Sequence, residues 1–312
     1  MSAVSAPAAA ANALAARFAA VPPPVRGALL MTAAALGFSC MNVIIRAGAQ
    51  ELDPLQIAFF RNAFALLFML PWLLWAGLPA LRTSRLKLHL SRSVIGMAAM
   101  TCWFYSVALL PLAQAVSLNF TVPLFATAGA ALILGETVRM RRWSATAIGF
   151  LGVLVIVRPG MAEVTPATGL PILAAVFMAA AVLIVKTLSR SENPNAVVFY
   201  MNLFLTPLSL VPALFVWRWP SWETFALMLL VGLLAVISHL MLTRAYTHAD
   251  ASAVIPFHYA QLPFVALIAF VTFGEVPDAW TLSGAAIIAG SAVYIARREA
   301  RVAQARRAEP AA

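Results

Sequence analysis

Charge is what this chain lacks most. Only 10% of its 312 residues are Asp, Glu, Lys or Arg, and 11 of these are acidic. A soluble domain carries about 25%, so an ordinary soluble fold is excluded. Cysteine is nearly absent too: Cys40 and Cys102 lie inside apolar runs and suit neither a disulfide framework nor a thiolate metal site. HExxH, GxSxG, a Walker loop and CxxC are all missing. The acidic residues stand in loops and at the ends of apolar runs, so no carboxylate pair is placed for acid–base work. Enzyme chemistry, a cofactor and a metal site are therefore not expected. The net charge of +10 would suggest nucleic acid in a soluble chain; here it reads as the charge bias of a membrane protein, and no nucleic-acid partner is expected.

What fills the chain is apolar. It is 63% hydrophobic with a mean hydropathy of +0.91, enough for about ten spans of ~20 residues each. Apolar runs fall at approximately 27–46, 54–76, 92–111, 114–135, 143–158, 167–187, 194–217, 223–246, 250–274 and 279–296. Residues 1–24 are Ala-rich, hold one Arg (Arg17), end in three prolines, and read as a cytoplasmic tail rather than a signal peptide.

Two of the runs are versions of one another. PLAQAVSLNFTVPLFATAGAALILGE (111–136) and DASAVIPFHYAQLPFVALIAFVTFGE (250–275) each hold an internal proline and end in Gly-Glu. Pro123 and Pro263 are 140 residues apart, and that offset also pairs Arg46 with Lys186, Pro54 with Pro194, Asn62 with Asn202 and Phe64 with Phe204. The chain is one unit written twice. With five spans per unit, the second enters the membrane upside down. The expected fold is all-α: ten transmembrane helices as two inverted five-helix repeats, 25–160 and 165–298, followed by a basic cytoplasmic tail, 299–312. Such repeats are a signature of secondary transporters that expose a midplane site to each side in turn.

Orientation follows from the basic residues. With both termini in the cytoplasm, only Arg46, Arg61, Arg158 and Arg218 of the 21 Lys and Arg lie outside or at the outer edge. Arg92 counts among the inner charges, beside Arg82, Arg85 and Lys87.

Polar residues inside spans should face a cavity or a partner. Ser39, Asn42 and Arg46 share one helical face, as do Asn202, Thr206 and Ser209, and His239, Thr243 and Tyr246. The duplicated runs carry Ser117, Asn119 and Thr121, and His258, Tyr259 and Gln261. Their prolines, Pro123, Pro256 and Pro263, free backbone carbonyls, which is tolerated where they line a cavity. The broken helices and the repeated helices are the same two. Ser and Thr in spans also bond their own helix or glue helices together. His258 is either a proton-coupling group or a hydrogen-bonded interior histidine. Arg61, a turn or two into the second span and deeper than an anchor would sit, is either a structural arginine holding carbonyls or a clamp for a carboxylate or other anion. The expected cavity residues are Asn42, Arg61, Asn62, Tyr105, Asn119, Thr121, His239, Tyr246, His258, Tyr259 and Gln261. Glu136 and Glu275 are expected as gates or interfacial caps. Gly149 and Gly152 could pack helices within a monomer or between two chains of a homodimer.

Phe59-Phe60-Arg61, Thr121-Val122-Pro123-Leu124-Phe125, Leu242-Thr243-Arg244-Ala245-Tyr246, Pro256-Phe257-His258-Tyr259 and Gly274-Glu275-Val276-Pro277 carry a resemblance. Over about 25–298 the chain resembles the EamA family of the drug/metabolite transporter superfamily, and a bacterial branch that includes S-adenosylmethionine and riboflavin carriers. The resemblance implies the ten-helix fold and carriage of a small polar organic metabolite across the bacterial inner membrane. Uptake of a nucleoside-like cofactor is the leading expectation and export of amino acids or small toxic metabolites the alternative; a non-transporting structural or assembly protein is the reading from another class. The expected partners are a small-molecule substrate, the lipid bilayer, and a coupling proton or counter-solute.

Overall fold

The structure, a computed structural model, describes residues 21–133, 140–158, 165–188, 192–248 and 257–308. Among the described residues all regular structure is helical. The helices are α1 (Pro23–Gly48), α2 (Pro54–Ala76), α3 (Leu86–Leu109), α4 (Leu112–Asn119), α5 (Val122–Ile133), α6 (Met140–Val157), α7 (Pro166–Leu188), α8 (Pro194–Phe215), α9 (Trp222–His248), α10 (Gln261–Phe273) and α11 (Ala279–Ala308). A 3-10 turn, Leu78–Leu81, follows α2. Six helices, α1, α2, α3, α7, α8 and α9, are long and apolar enough to cross a membrane. The other four apolar runs carry α4 with α5, α6, α10 and α11.

Local chemistry sets the element ends. Asp53 caps α2 by accepting from the Leu55 N–H at 2.8 Å, with Pro54 in the first turn, where its missing N–H is harmless. Asn193 caps α8 in the same way, accepting from Asn195 at 2.9 Å ahead of Pro194. The 140-residue pairing of Pro54 with Pro194 is thus a repeated helix start. Prolines also open α1, which begins at Pro23 inside the stretch expected as tail. At the far end α11 runs on to Ala308, so the basic segment after 298 continues the last helix. Gly274 closes α10 in the left-handed conformation (φ 69°) that glycine adopts without strain, which explains one Gly-Glu ending.

The fourth run is broken. Helical pairing stops at Phe120 and Thr121 and restarts with Pro123 in the first turn of α5. The proline ring has no N–H for the Asn119 carbonyl, and the chain turns there. In the ninth run the turn falls at Tyr259 and Ala260, and Pro263 lies in the first turn of α10. The two breaks therefore coincide under the repeat offset to within a residue.

Packing repeats the duplication. α1 lies against α9 as α7 lies against α3, and α2 meets α9 as α8 meets α3. α2 packs on α8, and α6 on α11, each helix meeting its own counterpart. This is the contact pattern of two inverted five-helix repeats. At the α6–α11 crossing a Cβ on Gly152 would stand 2.8 Å from the Gly284 carbonyl oxygen, and one on Gly284 would stand 2.6 Å from that of Gly152. Gly149 faces Leu124 and Ser291. Both glycines flagged in the sequence therefore pack helices within one chain.

Polar contacts tie the ends of the bundle. At one end Arg158 pairs with Asp278 at 2.6 Å, Gln56 bonds the Arg218 backbone, and Glu51 accepts from Thr224 and from the N–H and hydroxyl of Ser221. At the other, Thr83 donates to Glu192 at 2.7 Å and Tyr200 to the Leu81 carbonyl. The Thr224 hydroxyl, and after it the Ser221 N–H, hold the Glu51 carboxyl below its ordinary value of 4.5. A carboxylate depressed in the folded state adds stability above its unfolded pKa and loses it as pH falls through the folded one. On acidification below about pH 4.5, the melting temperature of the Glu51→Gln protein should therefore fall less than that of wild type. Parallel acid-melting curves would remove Glu51 from the acid response.

Candidate functional site

The site is assembled from α1, α2, α3, α9 and the two helix breaks. On α2, Arg61 is 5% exposed, although it lies well inside an apolar helix. An arginine at the centre of a membrane helix costs roughly 2.5–3.5 kcal/mol on insertion scales, so its partners matter. Its Nη1 donates to Asn62 Oδ1 at 2.7 Å and lies 3.8 Å from the Met100 sulfur. Asn62 Nδ2 lies 3.8 Å from the same sulfur and 3.2 Å from Ser209 Oγ on α8. Arg61 Nε is buried and meets no acceptor among the described residues.

Met100 stands three residues before Trp103 on α3, one helical face. Trp103 Nε1 donates to Asn42 Oδ1 at 3.3 Å, which brings α1 into the same cluster. One turn back on α1, the Phe38 ring stands edge-on to His239 (5.0 Å between centroids) and to His258 (6.3 Å). His239 Nδ1 lies 3.0 Å from the Ala235 carbonyl; a carbonyl only accepts, so Nδ1 carries the hydrogen and Nε2 is left for another partner. The helix breaks face one another through Phe120 and Tyr259, whose rings meet edge-on at 4.7 Å. Ser39 Oγ reaches the Gln261 carbonyl at 3.1 Å, across from α1 to the start of α10. Asn42 Nδ2, Asn119 Oδ1, His258 Nδ1 and the Tyr259 hydroxyl are buried atoms with no hydrogen-bond partner among the described residues. Buried polar atoms are normally paired; a group of them around one pair of helix breaks is what a ligand-binding interior offers.

The sequence-derived candidates divide accordingly. Asn42, Arg61, Asn62, Asn119, His239, His258 and Tyr259 come together, and the Gln261 backbone joins them. Tyr105 does not: its hydroxyl donates to Asp53 at 3.0 Å, at the cap of α2. Thr121 turns its hydroxyl back to the Leu118 carbonyl at 2.7 Å. Tyr246 is 45% exposed near the end of α9. Glu275 pairs with Arg46 at 2.5 Å and accepts from the Leu112 N–H at 2.9 Å, while Arg46 also donates to the Leu110 carbonyl. This latch joins α1 and the start of α4 to the turn after α10. Pro123 and Pro263 sit in the first turns after the breaks; Glu136 and Pro256 lie outside the described residues. Phe38, Met100, Trp103 and Phe120 were absent from the sequence reading. Two surface clefts, one beside Leu90 and Pro207 and one beside Arg158 and Pro277, both lie apart from this cluster.

Two inverted helical repeats enclosing a buried polar cluster at paired helix breaks define a membrane-carrier fold. The chain matches the EamA-like transporter family over residues 25–158 and again over 167–297. It belongs to that family and is a multi-pass membrane protein. It is 38% identical to a riboflavin transporter of Rhizobium johnstonii over 89% of this chain and 93% of the relative. An S-adenosylmethionine uptake transporter of Rickettsia prowazekii is 32% identical, over 78% and 83% of the two chains. A pseudopaline exporter of Pseudomonas aeruginosa is 31% identical, over 87% and 96%. One crystal structure superposes with a TM-score of 0.62 at 19% identity, covering 88% of this chain and 98% of its own, a likeness of fold alone.

Proposed function

We propose that this protein is a secondary carrier that moves a small polar organic metabolite across the bacterial inner membrane by alternating access. The observation that carries the reading is the buried, incompletely partnered polar cluster at the two duplicated helix breaks. Both termini lie in the cytoplasm, as the distribution of Lys and Arg favours. The two repeats, 25–160 and 165–298, are the bodies that rock, and tails 1–24 and 299–312 lie outside them. The Arg46–Glu275 latch is the gate on one side. On this reading the protein binds its cargo and releases it unchanged, in keeping with the transporter names of its relatives. Flavin-like or S-adenosylmethionine-like cofactors lead as cargo because relatives named for both are similar along most of the chain. Export is the second reading, favoured by the resemblance to the pseudopaline exporter.

The test is a melting panel on the purified full chain with riboflavin, S-adenosylmethionine, amino acids, nucleosides and quaternary amines. A ligand at 100 times its Kd adds about 2.7 kcal/mol of stability, so one chemical class should raise the melting temperature clearly. Saturable counterflow of that class in vesicles should follow. Conversion of the ligand to a product would overturn the carrier reading.

A further inference from the structure

Arg92, counted in the sequence only as an inner-side charge, lies inside a helix. α3 begins at Leu86, so Arg92 lies in its second turn rather than at the edge of the membrane run. A basic side chain near a helix end in a membrane usually reaches back toward the interface, and helical side chains lean toward the N-terminus. Arg92 goes the other way. Its Nη1 lies 3.6 Å from where a Cβ on Gly96 would stand, one turn further into the helix. Gly96 has no side chain to block that path, and Arg92, Gly96 and Met100 form one face at spacings of four. Met100 is the residue whose sulfur touches both Arg61 and Asn62. The Arg92 guanidinium therefore lies along the α3 face that leads through Gly96 to Met100, and so toward Arg61.

Among the described residues, the acidic group that comes near Arg92 is Glu192, which stands 3.9 Å from His89 Nε2, one turn earlier on α3, and accepts from Thr83. The Nε atoms of Arg61 and Arg92 are both buried without an acceptor. Among the described residues no carboxylate forms an ion pair with either arginine, and the sequence has no Asp or Glu from 54 to 135. Two like charges brought together in a low-dielectric interior are costly unless something of opposite sign joins them. A guanidinium offers a planar fork of donors that matches a carboxylate or a phosphate.

We propose that Arg61 and Arg92 are the two arms of a clamp for an anionic group, carboxylate or phosphate, on the transported molecule. The proposal rests on the carrier reading and narrows its substrate class. The remainder of the cargo lies toward Trp103, Phe38 and Tyr259, where a planar ring finds aromatic faces.

Matched cargo pairs test it. The full chain is reconstituted in phosphatidylcholine vesicles, which hold no net-anionic lipid to compete. Riboflavin and its 5′-phosphate, and S-adenosylmethionine and its decarboxylated form, then compete in counterflow. The anionic or carboxylated member should win by at least tenfold within the pair that competes, and Arg92→Gln should erase the preference while Arg92→Lys keeps part of it. The pair that responds tells phosphate from carboxylate. A preference unchanged in Arg92→Gln, or one for the member without the anionic group, would overturn the clamp. If neither pair competes, those cargoes are excluded, and a melt in detergent decides the clamp separately. Phosphate or acetate at constant ionic strength should then stabilise wild type beyond chloride and fail to stabilise Arg92→Gln; equal melting in all three salts would overturn it.

Discussion

Arg61→Ala is expected to reduce transport at least ~30-fold while leaving the melting temperature close to that of wild type. The two halves of this expectation have different causes. Truncating one partner of a buried, charge-assisted contact costs about 2–5 kcal/mol of binding, and 1.4 kcal/mol is tenfold. Folding is another matter, because Arg61 is a buried charge without a counter-ion among the described residues. Its removal relieves desolvation and forfeits one hydrogen bond to Asn62, worth about 1 kcal/mol. These nearly cancel. A structural arginine would behave differently, with a large fall in melting temperature as the neighbouring groups lose their donor. Uptake by reconstituted vesicles and the melt of the same preparation separate the roles, and Arg61→Lys should recover only part of the flux. Wild-type flux from Arg61→Ala would remove the residue from the site.

Gly232→Leu should be the most destabilising single change in the helix packing. A Cβ at this position on α9 would stand 2.4 Å from the Phe64 Cβ and 3.0 Å from the Ala65 nitrogen, and the obstacle includes α2 backbone. The helices must separate. Even Gly232→Ala is expected to cost about 1–3 kcal/mol by overpacking, and leucine more, visible as a drop in melting temperature or loss of purifiable protein. Gly290→Ala on α11 is the control: no heavy atom lies within 4 Å of a Cβ there, so alanine should be neutral or stabilise by up to ~1 kcal/mol. Equal melting of Gly232→Leu and wild type would show that α2 and α9 are not in this contact.

Much of the fold was legible because a duplicated chain announces its own register. Pro54 and Pro194 matched at the repeat offset because each opens a capped helix, and Pro123 and Pro263 matched because each follows a break. Asn42, Arg61 and His239 stood out as candidates because polar groups are conspicuous in an apolar helix. Phe38, Trp103 and Phe120 did not, since an aromatic residue that lines a cavity reads the same as one that faces lipid. Arg92 was not singled out, because an arginine at the margin of an apolar run is ordinarily an anchor; the early start of α3 and the gap at Gly96 place it further in. Tyr105 failed in the opposite direction, a polar tip already held by the Asp53 cap.

The scaffold is duplicated, but its chemistry is not. At the 140-residue offset Arg61 corresponds to Met201, Arg92 to Gly232, His239 to Ala99 and His258 to Leu118. The halves trade places in backbone terms, yet one wall is lined with guanidiniums and the other with imidazoles. A lopsided molecule resting between such walls has a head and a tail that cannot be exchanged. Under the alternating-access reading proposed above, the passenger would keep the same hold as the doors on the two faces open in turn. It would leave as it entered, without turning over.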